Sequence, residues 1–286
     1  MKNIGILGIG AIGSLMTKYL VRNRTNKYFF YNRSKKDRIL VEYEGKLDDI
    51  SIEISNNQIQ KLDWLIVCLK EYHFQDAIPM LNKLIGQQTK VAIFQNGIKL
   101  TDRYKQFSNP SNLLETIIDC PIQRTSSNEY KQIRSPKIVL PETAISDEFI
   151  MLFDESPIEF TKSKRFDELQ WTKLIESSSI GSIQSISELP CSVFQNEERI
   201  SEFKELIREG IEVAKSEGIK LNKDLISQLL TKLRSYPLAK GSSMLTDKLS
   251  GNQLELDAKI GVIVKTAKRN KINVPESIRI YNSLVH

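Results

Sequence analysis

Residues 3–16 read NIGILGIGAIGSLM, and this stretch limits the possible folds more than any other part of the chain. Ile4, Ile6 and Leu7 have the apolar continuity of a short buried strand. Gly8, Gly10 and Gly13 follow at G-x-G-x-x-G spacing, and Met16, Tyr19 and Leu20 then recur with a helical period. Each glycine has its own task. Gly8 permits the tight turn, Gly10 keeps side-chain atoms away from an approaching pyrophosphate, and Gly13 lets the helix lie close on the strand. The N–H groups that open the helix, together with its dipole, favour an anionic phosphate. The turn Gly8, Ile9, Gly10, Ala11, Ile12 and Gly13 is therefore the expected dinucleotide-binding element. Glycine-rich turns have other uses, and the position between strand and helix is what supports this reading.

After a helix expected over 11–22, Lys27–Tyr31 (KYFFY) reads as the second strand. Sites that prefer NAD carry Asp or Glu about 20 residues past the glycines, where the carboxylate accepts from the ribose hydroxyls. Here Tyr31 is followed by Asn32, Arg33, Ser34, Lys35 and Lys36, which supply three cations and no carboxylate. That set suits a 2′-phosphate, and Arg33 can also lie flat on adenine. The expected cofactor is NADP(H), with Asn32 and Arg33 at its adenosine end.

A chain of 286 residues is comfortable as two domains. Hydrophobic residues at 40% and charged residues at 27% describe an ordinary soluble protein. No run of apolar residues is long enough to span a membrane, and the N-terminus enters a strand directly, without a secretory leader. The expected location is the cytoplasm. The net charge of +6 is dispersed, which suits an anionic cofactor and substrate and provides no basic face for nucleic acid. Cys68, Cys120 and Cys191 are odd in number, far apart and without C-x-x-C spacing, as expected of buried thiols in a reducing compartment. His73 and His286 are the only histidines, so no metal site and no Ser-His-Asp triad are expected.

Residues 39–41 and 52–54 read as edge strands or a hairpin. Residues 62–69 are apolar apart from Asp63, as in a central parallel strand, and run into Lys70. A helix over 74–84 precedes a buried strand over 90–94, which ends in Gln95-Asn96-Gly97. Open α/β sheets bind ligands at the carboxyl ends of their strands, which places Lys70 and Asn96 at the site. Strand-like pieces follow at 113–118, 137–140 and 157–160, with only a weak pattern over 129–141. Near Lys164 the texture changes to helices over 165–187, 197–217 and 224–233. A loop is expected over 236–243. Ser250 and Gln253 have capping-box spacing ahead of Leu256, Ile260, Ile263 and Ala267, and Pro275 opens a last helix. The expected fold is an α/β N-terminal Rossmann-like doubly wound sheet over 1–164, followed by an all-helical C-terminal domain over 165–286.

Reducing a ketone requires a donor for the oxygen that gains charge as hydride arrives, and with no suitable histidine a lysine is the natural candidate. Lys173 lies on the long helix after Trp171, Glu255 lies near the start of the late helix, and Ser243 lies in the loop before it. Taken singly, each is an ordinary surface or capping residue. The segment SSMLTDKLSGNQLELDAKIGVIVKTAKRNKINVPES, however, resembles the ketopantoate reductase family, which reduces 2-dehydropantoate to pantoate with NADPH on the way to pantothenate and coenzyme A. The S-S-M-x-x-D pattern falls on Ser242, Ser243, Met244 and Asp247. The E-x-D-x-x-x-G pattern falls on Glu255, Asp257 and Gly261, and the closing proline is Pro275. Upstream, the glycine motif, Lys70, Asn96-Gly97 and W-x-K at Trp171 and Lys173 match in order, so the resemblance spans nearly the whole chain.

The resemblance implies that Lys173 is the general acid, and that Glu255 assists turnover and holds the hydroxyl side of the substrate. Ser243 binds the substrate carboxylate, Asn96 bridges cofactor ribose and substrate, Lys70 stands near the nicotinamide end, and Arg33 takes the 2′-phosphate. The family often carries Asn one and two turns after its catalytic lysine, and here those positions are Ser177 and Gly181, within ESSSIGSIQS. Ser177 with a bound water is the expected replacement for one amide, while Gly181 has no side chain. Glycines common in the family's last Rossmann strands are also scarce over 129–141. These departures bear on which 2-oxoacid is the substrate. The helical domain can supply a homodimer surface. A related reductase of another 2-oxoacid and a non-catalytic NADP sensor remain as alternatives.

Overall fold

The computed structural model describes residues 1–57, 59–153 and 156–285; His286 lies outside them. By its contacts the chain forms two compact units, Met1–Gln95 with Lys99–Phe166, and Asn96–Ile98 with Asp167–His286. In chain order the first unit contains β1 (Asn3–Leu7), α1 (Ala11–Leu20), β2 (Lys27–Tyr31), β3 (Arg38–Tyr43), β4 (Lys46–Ser51), β5 (Trp64–Val67), α2 (Phe74–Leu84) and β6 (Lys90–Ile93). It continues with α3 (Thr101–Tyr104), β7 (Leu113–Glu115), β8 (Ile117–Asp119), β9 (Ile122–Arg124), β10 (Glu129–Gln132), β11 (Lys137–Pro141), α4 (Ala144–Ile150) and β12 (Glu159–Ser163).

The main sheet has the order β2-β1-β5-β6-β7 with every pair parallel, and Ile6 of β1 stands opposite Phe30 and Ile66. Because side chains alternate along a strand, two separate cores form. Ile4, Ile6, Trp64, Ile66 and Ala92 enter one, and Leu7, Leu65, Val67, Val91 and Ile93 enter the other. A sheet apolar on both faces is the signature of parallel strands covered by helices on each side. The strand order reverses direction at β1, which makes the carboxyl ends of β1 and β5 the topological switch point.

Two smaller sheets, β4-β3-β10-β9 and β12-β11-β8, accompany the main one. Here the structure corrects the sequence reading. The partner of β3 is β4 at Lys46–Ser51, and residues 52–54 contribute only an isolated bridge between Ile54 and Phe30. Glu44 (φ 49°) and Gly45 (φ 74°) make a two-residue turn with both φ positive, and this fixes the register from Tyr43↔Lys46 to Arg38↔Ser51. The strand KLDDIS is acidic and lies at a sheet edge, with Leu47 exposed, so it carries no buried apolar stripe to read. Strand β10 is obscured for another reason: buried Gln132 occupies a core position, where its side-chain carbonyl accepts from the Lys18 ammonium (3.2 Å) and the Tyr19 hydroxyl (3.0 Å).

The second unit is built from α5 (Phe166–Ser187), whose first residue belongs to the other unit, α6 (Glu197–Ser216), α7 (Leu225–Arg234), α8 (Ser243–Leu249), α9 (Ile260–Asn270) and α10 (Pro275–Val285). Trp171, Ile175, Phe203, Ile207, Leu229 and Ile263 share one apolar core. Small residues bring its helices close: a Cβ on Gly210 of α6 would stand 2.8 Å from Ile175 on α5. Ser178, Ser179, Ser182 and Ser185 of α5 are wholly buried. Among the described residues no helix is long and apolar enough to cross a membrane.

Two expectations at the late motif are overturned. Ser243 is not in a loop but is the first residue of α8, where the Ser242 hydroxyl accepts from the Leu245 N–H at 3.2 Å. Ser250 and Gln253 do not form a capping box. Ser250 closes α8, the N–H of Gly251 (φ 65°) donates to the Lys248 carbonyl, and the next α-helix begins only at Ile260, after a 3-10 turn at Leu256–Ala258. A Ser-Gly pair read as a start is therefore a stop, as expected of glycine in the left-handed region after a helix. Glu255 accordingly precedes the 3-10 turn rather than standing on α9.

Glu209 of α6 is buried and caps α10 from across the core. Its carboxylate accepts the N–H groups of Glu276 (2.8 Å) and Ser277 (2.7 Å) and the Ser277 hydroxyl (2.6 Å). Hydrogen bonds to a charged group contribute about 1.5–3 kcal/mol each. Glu209→Ala is expected to lower unfolding stability in urea by about 2 kcal/mol or more, and Glu209→Gln, which keeps one acceptor, by less. An unchanged midpoint in both variants would remove the capping role.

Candidate active site

The first half of the site is the turn between β1 and α1. Gly8 has φ +92°, a conformation that costs only glycine little. A Cβ on Gly13 would lie 1.9 Å from the Gly8 carbonyl oxygen, so no other residue allows α1 to start this close to β1. At Gly10 a Cβ would meet nothing within 4 Å. The opening at that position faces away from the protein, and α1 has no side-chain cap for its first-turn N–H groups. Gly10, Ala11, Ile12 and Gly13 thus fit a cofactor pyrophosphate. Ile9 serves the turn itself: its side chain is buried and its N–H donates to Asn32 Oδ1 at 3.0 Å.

Asn32 fastens the end of β2. Its Nδ2 donates to the Ser34 carbonyl and hydroxyl oxygens (2.9 Å each), and its own backbone is paired on both sides with the Asn56 amide (3.1 and 2.7 Å). Arg33 and Lys35 are exposed beside it. Lys36 is drawn inward to the Tyr130 hydroxyl (2.7 Å) and the Ser127 carbonyl (2.9 Å). Of the three cations legible in sequence, Arg33 and Lys35 remain exposed at the surface.

At the other strand ends, Lys70 is half-buried and opens a short 3-10 turn, Glu71–His73, beyond β5. Gln95, buried after β6, links the two strand ends by donating to the Leu69 carbonyl (3.0 Å) while accepting from the Tyr104 hydroxyl (2.7 Å). The chain then turns at Gly97 (φ +118°), and Asn96–Ile98 belongs by its contacts to the second unit. There the Asn96 amide donates to Glu255 Oε2 at 3.0 Å across 159 residues of sequence.

Glu255 is only 3% exposed and Lys259 only 4%. The Lys259 ammonium lies 3.5 Å from the hydroxyl of Ser243, which is itself exposed. Lys173 and Ser177 are half-buried, one turn apart on α5, and the Ser177 hydroxyl leans back to the Leu174 carbonyl at 3.4 Å. The place of a side chain at Gly181 is taken by Met244, whose sulfur would be 2.8 Å from a Cβ there. Gln184, wholly buried on α5, donates to the Lys240 carbonyl (3.0 Å) and accepts from the Ser242 N–H (2.8 Å), which fixes the approach to α8.

The late motif therefore has two halves. Glu255 belongs to the polar cluster, whereas Asp257 and Gly261 hold the segment to α10. Asp257 accepts from the Tyr281 hydroxyl (2.9 Å) and pairs with Lys265 (2.9 Å), and a Cβ on Gly261 would collide with Asp257 at 2.8 Å. Burial alone raises the Asp257 pKa, but the hydrogen bonds from Lys265 and Tyr281 outweigh it and hold the carboxyl below its ordinary value. Lys259 and Gln184 were not singled out in sequence, and Met244 was named only as a member of the S-S-M-x-x-D pattern, without its packing role. A lysine inside the apolar Ala258–Ile260 step was the one available signal for Lys259; Gln184 gave none, and the motif that names Met244 does not say that it packs on Gly181. All three cysteines are free thiols pushed upward by burial, Cys120 to about 12, so they stay protonated.

The two glycines separate packing from binding. Gly13→Ala is expected to destabilise the first unit and lower the thermal midpoint by several degrees. Gly10→Ala is expected to leave the midpoint unchanged and weaken NADPH binding at least tenfold by fluorescence titration. Intact NADPH affinity in Gly10→Ala would show that no phosphate approaches that backbone.

The chain matches the family described as ketopantoate reductase PanE/ApbA over residues 4–144 and the C-terminal domain of the same family over 165–286. A 2-dehydropantoate 2-reductase of Caulobacter vibrioides is 26% identical over 282 residues, covering 98% of this chain and 97% of that one. Its counterpart in Mycobacterium tuberculosis is 24% identical over 76% of this chain and 73% of its own. A dimeric ketopantoate reductase from Staphylococcus aureus superposes with TM-score 0.89 at 21% identity, covering 99% and 97% of the two chains. A D-mandelate dehydrogenase bound to NADH and anilino(oxo)acetate also superposes with TM-score 0.89, at 17% identity and the same coverage. These two structures share the fold. With both domains matched and a glycine turn shaped for a dinucleotide, the chain belongs to the ketopantoate reductase family of NADP-dependent oxidoreductases.

Proposed function

We propose that this protein reduces 2-dehydropantoate to pantoate with NADPH, in the cytoplasm and within pantothenate and coenzyme A synthesis. In this reading residues 1–164 bind the cofactor and residues 165–286 bind the substrate and carry the acid. The observation that carries the reading is the hydrogen bond from the Asn96 amide to the buried Glu255 carboxylate, which joins a strand-end residue to the late motif. A protein that only senses NADP has no use for that pair. The dimeric relative supports a homodimer here as well.

NADPH, when bound, supplies the hydride. Gly10–Gly13 bind its pyrophosphate, Arg33 its 2′-phosphate with Asn32 holding the loop in place, and Lys70 stands at the nicotinamide end. Ser243 holds the substrate carboxylate, with Ser177 and Asn96 at its other oxygens. Lys173 keeps an ammonium at the ketone oxygen, stabilises the charge that develops there and passes it a proton, leaving a neutral amine. Glu255 accepts from the substrate hydroxyl. Because Met244 fills the space beside Gly181, a related 2-oxoacid with a different side chain is the second reading, and a panel of 2-oxoacids followed by NADPH absorbance separates the two.

Removing the acid costs about 10²–10⁴ in rate. Lys173→Ala is expected to lower single-turnover NADPH oxidation by at least that lower bound while NADPH binding holds, and Lys173→Arg to rescue only in part because a guanidinium keeps its proton. A rate within about threefold of the parent would transfer the role away from Lys173.

Arg33→Ala removes one charge-assisted phosphate contact, a loss of about 1.5–3 kcal/mol. The KM for NADPH is expected to rise about tenfold or more while that for NADH stays level. Equal values for both cofactors in the parent enzyme would refute the phosphate contact.

A further inference from the structure

We propose that Tyr130 is a positioning residue for the dinucleotide: its hydroxyl holds the Ile9–Gly10 peptide so that the Gly10 N–H faces the cofactor pyrophosphate. The proposal rests on the placement of the pyrophosphate at the glycine turn and adds to it a residue from a different sheet. Tyr130 lies on β10, opposite Val41 of β3 and Arg124 of β9, and is only 2% exposed. Its hydroxyl donates to the Ile9 carbonyl at 3.3 Å, across 121 residues of sequence. The Ile9 N–H is held as well, by Asn32 Oδ1 at 3.0 Å. Both backbone polar groups of Ile9 are thus taken by side chains from outside the turn.

The direction of the Tyr130 bond is set by Lys36, whose ammonium stands 2.7 Å from the same hydroxyl. An ammonium only donates, so it occupies a lone pair of the phenol oxygen and leaves the phenol proton for the Ile9 carbonyl. A charged donor on the oxygen also polarises the O–H and strengthens what it gives. The peptide between Ile9 and Gly10 is trans and planar, so the Ile9 carbonyl and the Gly10 N–H point in opposite directions. The carbonyl is drawn toward buried Tyr130. Gly10 is exposed, and a Cβ there would meet nothing within 4 Å. The N–H is therefore aimed away from β10, to the side from which a phosphate approaches. Glycine has the most pliable backbone of any residue, and an anchor on the peptide before it reduces the ordering that binding would otherwise require.

Tyr130→Phe deletes the hydroxyl and keeps the ring in the core that it shares with Ile9. The test titrates the substrate-free parent and this variant with NADPH by fluorescence, and with 2′-AMP by displacement of NADPH. 2′-AMP carries the 2′-phosphate and no pyrophosphate. In Tyr130→Phe the Kd for NADPH is expected to rise about fivefold. That for 2′-AMP is expected to stay within about threefold, because Lys36 keeps the Ser127 carbonyl and Asn32 keeps Asn56. A rise of less than about threefold for NADPH overturns the proposal, and a lowered thermal midpoint beside it marks a merely structural tyrosine. A rise of about threefold or more for both ligands also overturns it, since the hydroxyl then acts through the adenosine end or through the fold as a whole. If circular dichroism shows Tyr130→Phe unfolded, Tyr130→Met is judged by the same criteria. No displacement by 2′-AMP from the parent counts against the Arg33 phosphate contact and leaves the NADPH criterion to decide. A parent that binds no NADPH overturns the placement of the cofactor and this proposal with it, whereas equal binding by parent and variant overturns this proposal alone.

Discussion

The contact that sets the first unit is the approach of Gly13 to the Gly8 carbonyl, closer than any side chain permits. It fixes where α1 leaves β1, and therefore which backbone N–H groups stand at the end of the central strand. The Asn32 side chain then holds the loop after β2 to that turn through Ile9, and Asn56 holds Asn32. The turn built this way owes its shape to backbone geometry and amide side chains rather than to any charged side chain.

The second unit depends on polar groups buried among helices. Glu176 takes the Lys232 ammonium and the Tyr236 hydroxyl, Glu209 supplies the cap that α10 lacks, and Gln184 holds the chain before α8. These residues look like site candidates by charge and burial, yet their oxygens and nitrogens are spent on the fold. Asn96 with Glu255, and Lys259 with Ser243, likewise bring polar atoms together from distant segments, and these are the residues on which the late motif falls or which stand beside it.

Much of this was legible in sequence where one physical cause dominated. The glycine spacing, the doubly apolar strands and the long amphipathic helices each leave a periodic trace, and the parallel sheet and helical unit follow from them. The trace fails where position is set by something other than period. Strand β4 is acidic because it is an edge, β10 hides its buried Gln132, and the Ser-Gly pair at 250–251 has the letters of a helix start but the dihedral of a helix end. In the candidate site, the motif named Glu255, Ser243 and Met244, while the packing of Met244 on Gly181 and the approach of Lys259 to Ser243 are contacts between distant segments that no local pattern encodes.

The assignment of Asn96–Ile98 to the second unit has a further consequence. The polypeptide passes between its units three times, after Gln95, after Ile98 and after Phe166. A single cut at the last of these therefore does not yield two whole modules. A fragment starting at Asp167 leaves behind the amide bonded to Glu255 and the Ile98 side chain packed on its core. The piece ending at Phe166 keeps every residue of the first unit, while the second unit is left short of Asn96–Ile98.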